Sequence, residues 1–72
     1  MTGRAWIDAF AARLEIEPLD DQTIEQLLAL AAVAAHQSER IAAPIACYLA
    51  GRAGVDPARA GELAAAVHPS ED

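Results

Sequence analysis

Positive charge is scarce in this sequence: it has no lysine, and five arginines stand against 11 acidic residues, giving a net charge of −6. Proteins that bind nucleic acid neutralise phosphates with clustered basic residues, and anionic membrane surfaces attract clusters of the same kind. We therefore expect no nucleic acid and no membrane surface among the partners of this chain.

Cysteine is almost absent as well. Cys47 stands alone, so the chain cannot form an internal disulfide, which is usual in a reducing cytosol. Cys47, His36 and His68 are the available soft or borderline metal ligands, and they lack the short-spaced pairing of a structural zinc site. No set of nucleophile, base and oxyanion donors can be assembled either. We expect no catalytic residue, metal or cofactor, and hence a non-enzymatic domain.

Long hydrophobic runs are missing too. No segment approaches the ~18 consecutive apolar residues of a membrane span. The first residues, MTGRAWIDAF, lack the apolar stretch of a secretory signal. The sequence therefore predicts a cytoplasmic protein.

What the chain does contain is alanine and helical periodicity. Apolar residues make up 54% of its 72 residues, and alanine, the best helix former, supplies much of that share. A chain this short buries only about 60% of its unfolded surface on folding. We predict a single all-α domain over residues 1–72 with a thin core, for which homodimerisation would add burial.

The first predicted helix covers residues 4–14, with Thr2 as its cap. Its apolar positions recur at steps of three and four, as on one helix face. They are Trp6, Ile7, Phe10 and Leu14. Because aromatic side chains are the bulkiest available, we expect Trp6 and Phe10 to lie in the core.

The second helix follows a break at residues 17–21. Its cap is either one of the aspartates Asp20 and Asp21 or Thr23, which has capping-box spacing. This helix is apolar over a wide arc, so we expect it to be central and to contact neighbours on more than one side.

The third helix is separated from the second by a proline. Pro44 would clash one turn back inside a continuing helix, so we predict a non-helical link at residues 41–43 and a helix that starts at Pro44. Ile45, Tyr48 and Leu49 mark its apolar side. Gly51 and Gly54 are its predicted stop signals.

The fourth helix is predicted to start at Pro57, after the cap Asp56, and to end before Pro69. The turn before it has the spacing of a helix-turn-helix. Its exposed side offers Arg59 and Glu62 among alanines, with no Asn, Gln, Lys or Ser to read bases or hold phosphates, which argues against DNA binding. The predicted architecture is a compact bundle of four short helices.

One group of residues is a candidate binding site for a partner or an anion: His36, Arg40 and Tyr48. Histidine titrates near neutral pH, and arginine offers a planar fork of donors to a carboxylate or phosphate. If the second helix continues through Arg40, His36 and Arg40 are neighbours one turn apart. The alternative is structural: Arg40 pairs with Glu39 or with helix ends, and His36 caps or packs at the link before Pro44.

The sequence also resembles a known family. The resemblance lies in five short motifs: Leu27-Leu28-x-Leu30-Ala31, Ala35-His36, Arg40, Ala42-Ala43-Pro44 and Tyr48-Leu49-Ala50-Gly51. These are similar to an uncharacterised family of small helical domains of actinobacteria, domain of unknown function 6457. Members occur alone or fused after the nucleotidyltransferase that makes molybdenum cofactor guanine dinucleotide. The resemblance implies an accessory role near molybdenum cofactor assembly.

Two functions follow as expectations. The first is a protein-interaction domain that presents His36, Arg40 and Tyr48 to a partner protein, with a molybdenum cofactor nucleotidyltransferase as the partner that the resemblance implies. The second is a small-ligand sensor in which Arg40 and His36 bind an anion. An anion beside Arg40 would favour the sensor, and an apolar patch rimmed by these residues would favour the interaction domain.

Overall fold

The computed structural model describes residues 1–67, so His68 and the predicted stop at Pro69 lie outside the described part. Within it the chain forms four helices: α1 (Gly3–Arg13), α2 (Asp21–Gln37), α3 (Ala42–Ala53) and α4 (Pro57–Ala65). No strand occurs in residues 1–67. The predicted all-α bundle of four short helices is confirmed. No helix in this range is long and apolar enough to cross a bilayer.

Three of the helices begin with a side-chain cap. Thr2, Asp20 and Asp56 each accept a hydrogen bond from the backbone N–H three residues further on, at 3.1, 2.8 and 3.2 Å. Such a bond satisfies one of the N–H groups that have no partner inside the helix. The cap of α2 is therefore Asp20 and not Thr23.

The link between α2 and α3 lies earlier than predicted. It covers residues 38–41, and Pro44 is the third residue of α3 rather than the first. Proline is tolerated there because the first N–H groups of a helix have no intrahelical acceptor, so the missing donor is not needed.

Of the two glycines predicted to stop α3, only Gly54 does so. Gly54 has φ 70°, and the N–H groups of Gly54 and Val55 donate to the carbonyls of Gly51 and Ala50, each at 3.1 Å. This is the left-handed ending that favours glycine. Gly51 has helical conformation inside α3, so its prediction as a stop signal was wrong.

The packing is organised around α2, as expected for the central helix. The closest helix pairs within residues 1–67 are α2 with α3 and α2 with α4. Leu30, in the middle of α2, is the most buried residue at 2% exposure, and the other buried apolar residues of this range are Ala11 and Ala60. The core therefore contains a single large side chain.

Helix α1 is attached by Arg4 and buries alanine rather than its aromatics. The Arg4 guanidinium donates to Asp21 and, at 2.7 Å, to the carbonyl of Leu19, both next to the start of α2. Ala11 is the buried residue of α1. Trp6 is 56% exposed and Phe10 is also exposed, so the prediction that they lie in the core was wrong.

Candidate functional site

An apolar stripe runs along the exposed side of α3. It consists of Ile41, Ile45, Tyr48 and Leu49, all of them more than half exposed, with Tyr48 at 66%. Their spacing of four, three and one places them within about 100° of arc on a helix. We call these four residues the outer α3 face.

The opposite side of α3 is the one that contacts α2. Cys47, on that side, points its thiol at the carbonyl of Leu27, with 3.8 Å between Sγ and the oxygen. Ala43, Ala46 and Ala50 surround Cys47 on the helix surface and are partly buried. Small side chains let two helix backbones approach closely, so the alanine side packs and the bulky side stays outside. The apolar side predicted for this helix, with Ile45, Tyr48 and Leu49, is therefore its exposed side.

The outer α3 face continues into an open groove between α3 and α4. The groove has a volume of about 270 Å³, and Leu30 of α2 forms part of its lining. Leu49 belongs to both the groove and the outer α3 face, while Leu63 and Val67 line the α4 side. Val67 follows the end of α4 at Ala65 and is 60% exposed. We call this the α3–α4 groove.

The predicted pair of His36 and Arg40 is not a helical pair. His36 is exposed in the last turn of α2, which ends at Gln37, and Arg40 is exposed in the turn before α3. The carbonyl of Arg40 accepts from the N–H of Ala43 at 3.1 Å and so helps to start α3. Arg40 thus directly precedes Ile41, at the beginning of the outer α3 face.

The described residues also do not show the structural roles considered above as the alternative for Arg40 and His36. At the end of α2 it is the Ser38 hydroxyl, not His36, that donates to a helix carbonyl, that of Ala34, at 2.7 Å. Arg40 makes no ion pair with Glu39 or with any other residue in the range 1–67.

Unpaired positive charge is concentrated around the outer α3 face. Arg4 is engaged by Asp8 and Asp21, and Arg59 by Glu62. The arginines without an ion pair in the described residues are Arg13, Arg40 and Arg52. Arg40 lies at one end of the stripe, and Arg52, in the last turn of α3, falls within the same arc at the other end. An acidic chain thus carries an apolar stripe with a cation at each end.

The side chains at this surface are apolar groups and arginines, without a cluster of metal-binding residues in the described part of the chain. The described part of the chain contains no group of three or more His, Cys, Asp and Glu side chains that could hold a metal ion. In residues 1–67, no side-chain nitrogen or oxygen is buried without a hydrogen-bond partner. What the surface offers is apolar area and two guanidinium groups, which suit recognition of another molecule.

Sequence reasoning found Arg40 and Tyr48 but missed the continuous stripe that joins them. The i, i+4, i+7, i+8 spacing of Ile41, Ile45, Tyr48 and Leu49 was visible in the sequence. It was hidden by the predicted link at residues 41–43, which removed Ile41 from the helix.

Comparison with known proteins identifies the family but no activity. The family model described as "Domain of unknown function (DUF6457)" matches residues 1–71. No curated protein and no solved structure shows significant similarity to the chain.

Proposed function

This chain belongs to the DUF6457 family, and we propose that it is a non-enzymatic protein-interaction domain that docks a partner on the outer α3 face and the α3–α4 groove. The observation that carries this proposal is the exposure of Ile41, Ile45, Tyr48 and Leu49 on one side of one helix. An apolar stripe of this length, continuous with an apolar groove, is costly to leave in water and is typical of a docking surface.

The shape of the surface favours a helical partner. A groove between two helices, with an apolar ridge beside it, accepts the apolar side of an amphipathic helix. Tyr48 is the expected anchor of the interface, because tyrosine combines a large apolar body with a polar tip and is enriched among the residues that dominate binding.

The charges at the two ends define the chemistry of that partner. Arg40 and Arg52 have no ion pair in residues 1–67 and bracket the stripe. A helix with acidic residues at both ends of its apolar side would complement them and be steered toward them during association. We therefore propose an acidic-ended amphipathic helix as the docked segment.

The molybdenum cofactor guanylyltransferase is the first partner to test, because the motif resemblance connects this family to it. The proposed role is that of an accessory domain in an actinobacterial cytoplasm, acting near guanylyl transfer without performing it. This association rests on the resemblance alone, whereas the docking surface rests on the geometry of α3 and α4.

The direct test is an amide NMR titration of the isotope-labelled domain with the guanylyltransferase of the same organism. We expect shifts along residues 40–52 and in Leu63, and few in α1. Tyr48→Asp should weaken binding at least tenfold, about 1.4 kcal/mol, because a buried charge replaces the anchor. Leu28→Asp is the matched control: Leu28 is 65% exposed on α2, outside the proposed surface, and its replacement should leave affinity unchanged.

A second candidate function uses the same cations differently. Because Arg40 lacks an ion pair in the described residues and His36 is exposed nearby in sequence, an anion sensor is the alternative. Titration with phosphate and with GTP separates the two. Shifts confined to His36 and Arg40 with these anions would favour the sensor. No shift with the enzyme or either anion would refute the guanylyltransferase association and the sensor.

A further inference from the structure

We propose that the α3–α4 groove is a pocket for one aromatic side chain, which the docked helix of the partner inserts as its anchor. This inference rests on the proposed function and deepens it, because it names the kind of residue that the partner must present. Leu49 belongs both to the groove and to the outer α3 face. A helix docked on that face can therefore place a side chain in the groove.

The two walls of the groove are built from the same residue pattern. In each wall, an alanine is followed by a leucine after three residues and by a second alanine after four, a spacing that keeps all three on one side of a helix. The walls are formed by Ala46, Leu49 and Ala50 of α3 and by Ala60, Leu63 and Ala64 of α4. The alanines are buried or partly buried, whereas the two leucines are about half exposed. The alanines therefore form the lower part of the groove and the leucines its two rims.

The bottom of the groove reaches the core of the domain. Leu30 contributes to the lining although only 2% of its surface is exposed. Alanine side chains end at Cβ, so the alanines of the two walls leave apolar space that they do not fill themselves. Unfilled space deprives its lining of dispersion contacts, and apolar atoms of a partner that enter it supply them. A side chain inserted between Leu49 and Leu63 would thus extend the core.

The size of the groove favours an aromatic side chain over an aliphatic one. An apolar cavity of about 150 Å³ lined by leucine, isoleucine and phenylalanine accommodates benzene. The groove, at about 270 Å³, therefore has room for a phenyl ring and for the fused rings of tryptophan. A valine or leucine would fill less of this space and make fewer contacts. Aromatic residues are also enriched at the centres of protein interfaces.

The lining admits a ring and disfavours a charge. All lining residues in the described part of the chain are apolar, so a carboxylate inside the groove would lose its water without gaining a hydrogen bond. The adjacent cation on α3 is Arg52, which follows Leu49 by three residues on the helix surface and has no ion pair in residues 1–67. The docked helix should therefore carry its aromatic residue about one turn from an acidic residue.

NMR of the isotope-labelled domain, titrated with indole, tests the pocket without the partner. Indole is the ring system of tryptophan, and we expect shifts centred on Leu30, Leu49 and Leu63. Isoamyl alcohol carries the branched group of a leucine and should bind at least about threefold more weakly. Ala64→Leu fills the groove and should weaken indole binding at least about tenfold. Ala65→Leu is the matched control, because Ala65 is exposed on the same helix and does not line the groove.

The same variants separate this inference from the proposed function. Ala64→Leu should weaken binding of the guanylyltransferase at least about tenfold, and Ala65→Leu should leave it unchanged. If circular dichroism shows that Ala64→Leu has lost helix, Ala53→Leu, at an exposed lining position of α3, takes its place. Equal affinity of the enzyme for the wild type and the filled variant would overturn the pocket and leave docking on the outer α3 face. Indole shifts in the groove without any binding of the enzyme would support the pocket and refute the guanylyltransferase association.

Other results with the domain alone would overturn the pocket as well. They are the absence of shifts with indole at about 10 mM, shifts centred on α1 instead of the groove, and equal affinities for indole and isoamyl alcohol. Groove shifts that change with the concentration of the domain, with no indole present, would assign the groove to a second copy of the chain instead.

Discussion

Replacing Leu30 by alanine should cost this domain about 3 kcal/mol of unfolding free energy, within the range of about 2 to 5 kcal/mol for buried leucines. Leu30 is 2% exposed and lies where α2 meets the α3–α4 groove. The open groove lets water reach the vacated space, which keeps the cost from the upper end of that range. A 72-residue domain has a total stability of roughly 4 to 11 kcal/mol. One substitution would thus remove a large fraction of it.

Thermal and urea unfolding followed by circular dichroism would measure this loss. For a domain of this size, a loss of 3 kcal/mol corresponds to a fall of about 12 to 24 °C in Tm. Leu28→Ala is the matched control on the same helix: Leu28 is 65% exposed, so its truncation should change stability by less than about 0.5 kcal/mol. Equal effects of the two substitutions, or a loss below about 1 kcal/mol for Leu30→Ala, would refute the assignment of α2 as the packed centre.

Three further substitutions test the helix ends and the attachment of α1. Gly51→Ala should stabilise the domain by about 0.5 to 1 kcal/mol, because Gly51 is helical and a Cβ there meets no atom within 4 Å. Gly54→Ala should destabilise the domain by about 1 kcal/mol, because the φ angle of Gly54 is 70°. Urea unfolding measures the free-energy change of both variants, and changes of the same sign would contradict the assigned ending of α3. Arg4→Gln should speed amide hydrogen exchange in α1 and leave exchange in α3 unchanged. Equal acceleration in both helices would contradict the assignment of Arg4 as an attachment of α1 alone. Thr23 hydrogen-bonds to the Asp20 carboxylate and lowers its pKa; the charged form is therefore favoured in the folded state, and its contribution is present above about pH 4 and lost as the pH falls through the lowered pKa. Asp20→Asn should accordingly flatten the loss of stability below about pH 4 in urea unfolding, and an unchanged pH profile would contradict this.

The helices and most of their ends could be predicted from the sequence because they depend on local chemistry. Caps such as Thr2, Asp20 and Asp56 act within one turn, and a pattern of apolar residues at steps of three and four needs no tertiary information. The errors of one or two residues around Pro44 arose because proline is accepted at several positions in the first turn. Gly51, inside α3, and Gly54, directly after it, differ in backbone conformation. That conformation depends on where the following segment must go.

The orientation of the helices could not be predicted in the same way. Helices α1 and α3 each have one side with alanine and one side with larger apolar residues, and the preference for burying larger residues points to the wrong side. The structure buries Ala11 and turns Trp6 outward, and it directs Cys47 rather than Tyr48 toward α2. For α3, close approach to α2, which is itself bulky and apolar, favours the alanine side, and this requirement belongs to the pair of helices, not to either sequence segment.

The candidate site could be predicted only in part, because it also depends on which side of α3 is exposed. Arg40 and Tyr48 could be selected as residue types suited to binding, and both are exposed. Their connection through Ile41 and Ile45 depends on where α3 begins and which side of it is free. His36 remains in the prediction as an exposed residue at the end of α2, with its role in binding still to be tested.

The attachment of α1 through the side chain of Arg4 also has a kinetic consequence. Helices α2, α3 and α4 share the closest contacts of the described residues, so the transition state for folding should be built from them. Arg4 donates to Asp21 and to the carbonyl of Leu19, at the start of α2. Because these side-chain contacts are the main attachment of α1, we expect α1 to join after α2, α3 and α4 have packed. Changes in α1 would then act mainly on the rate of unfolding, whereas changes at Leu30 would slow folding itself.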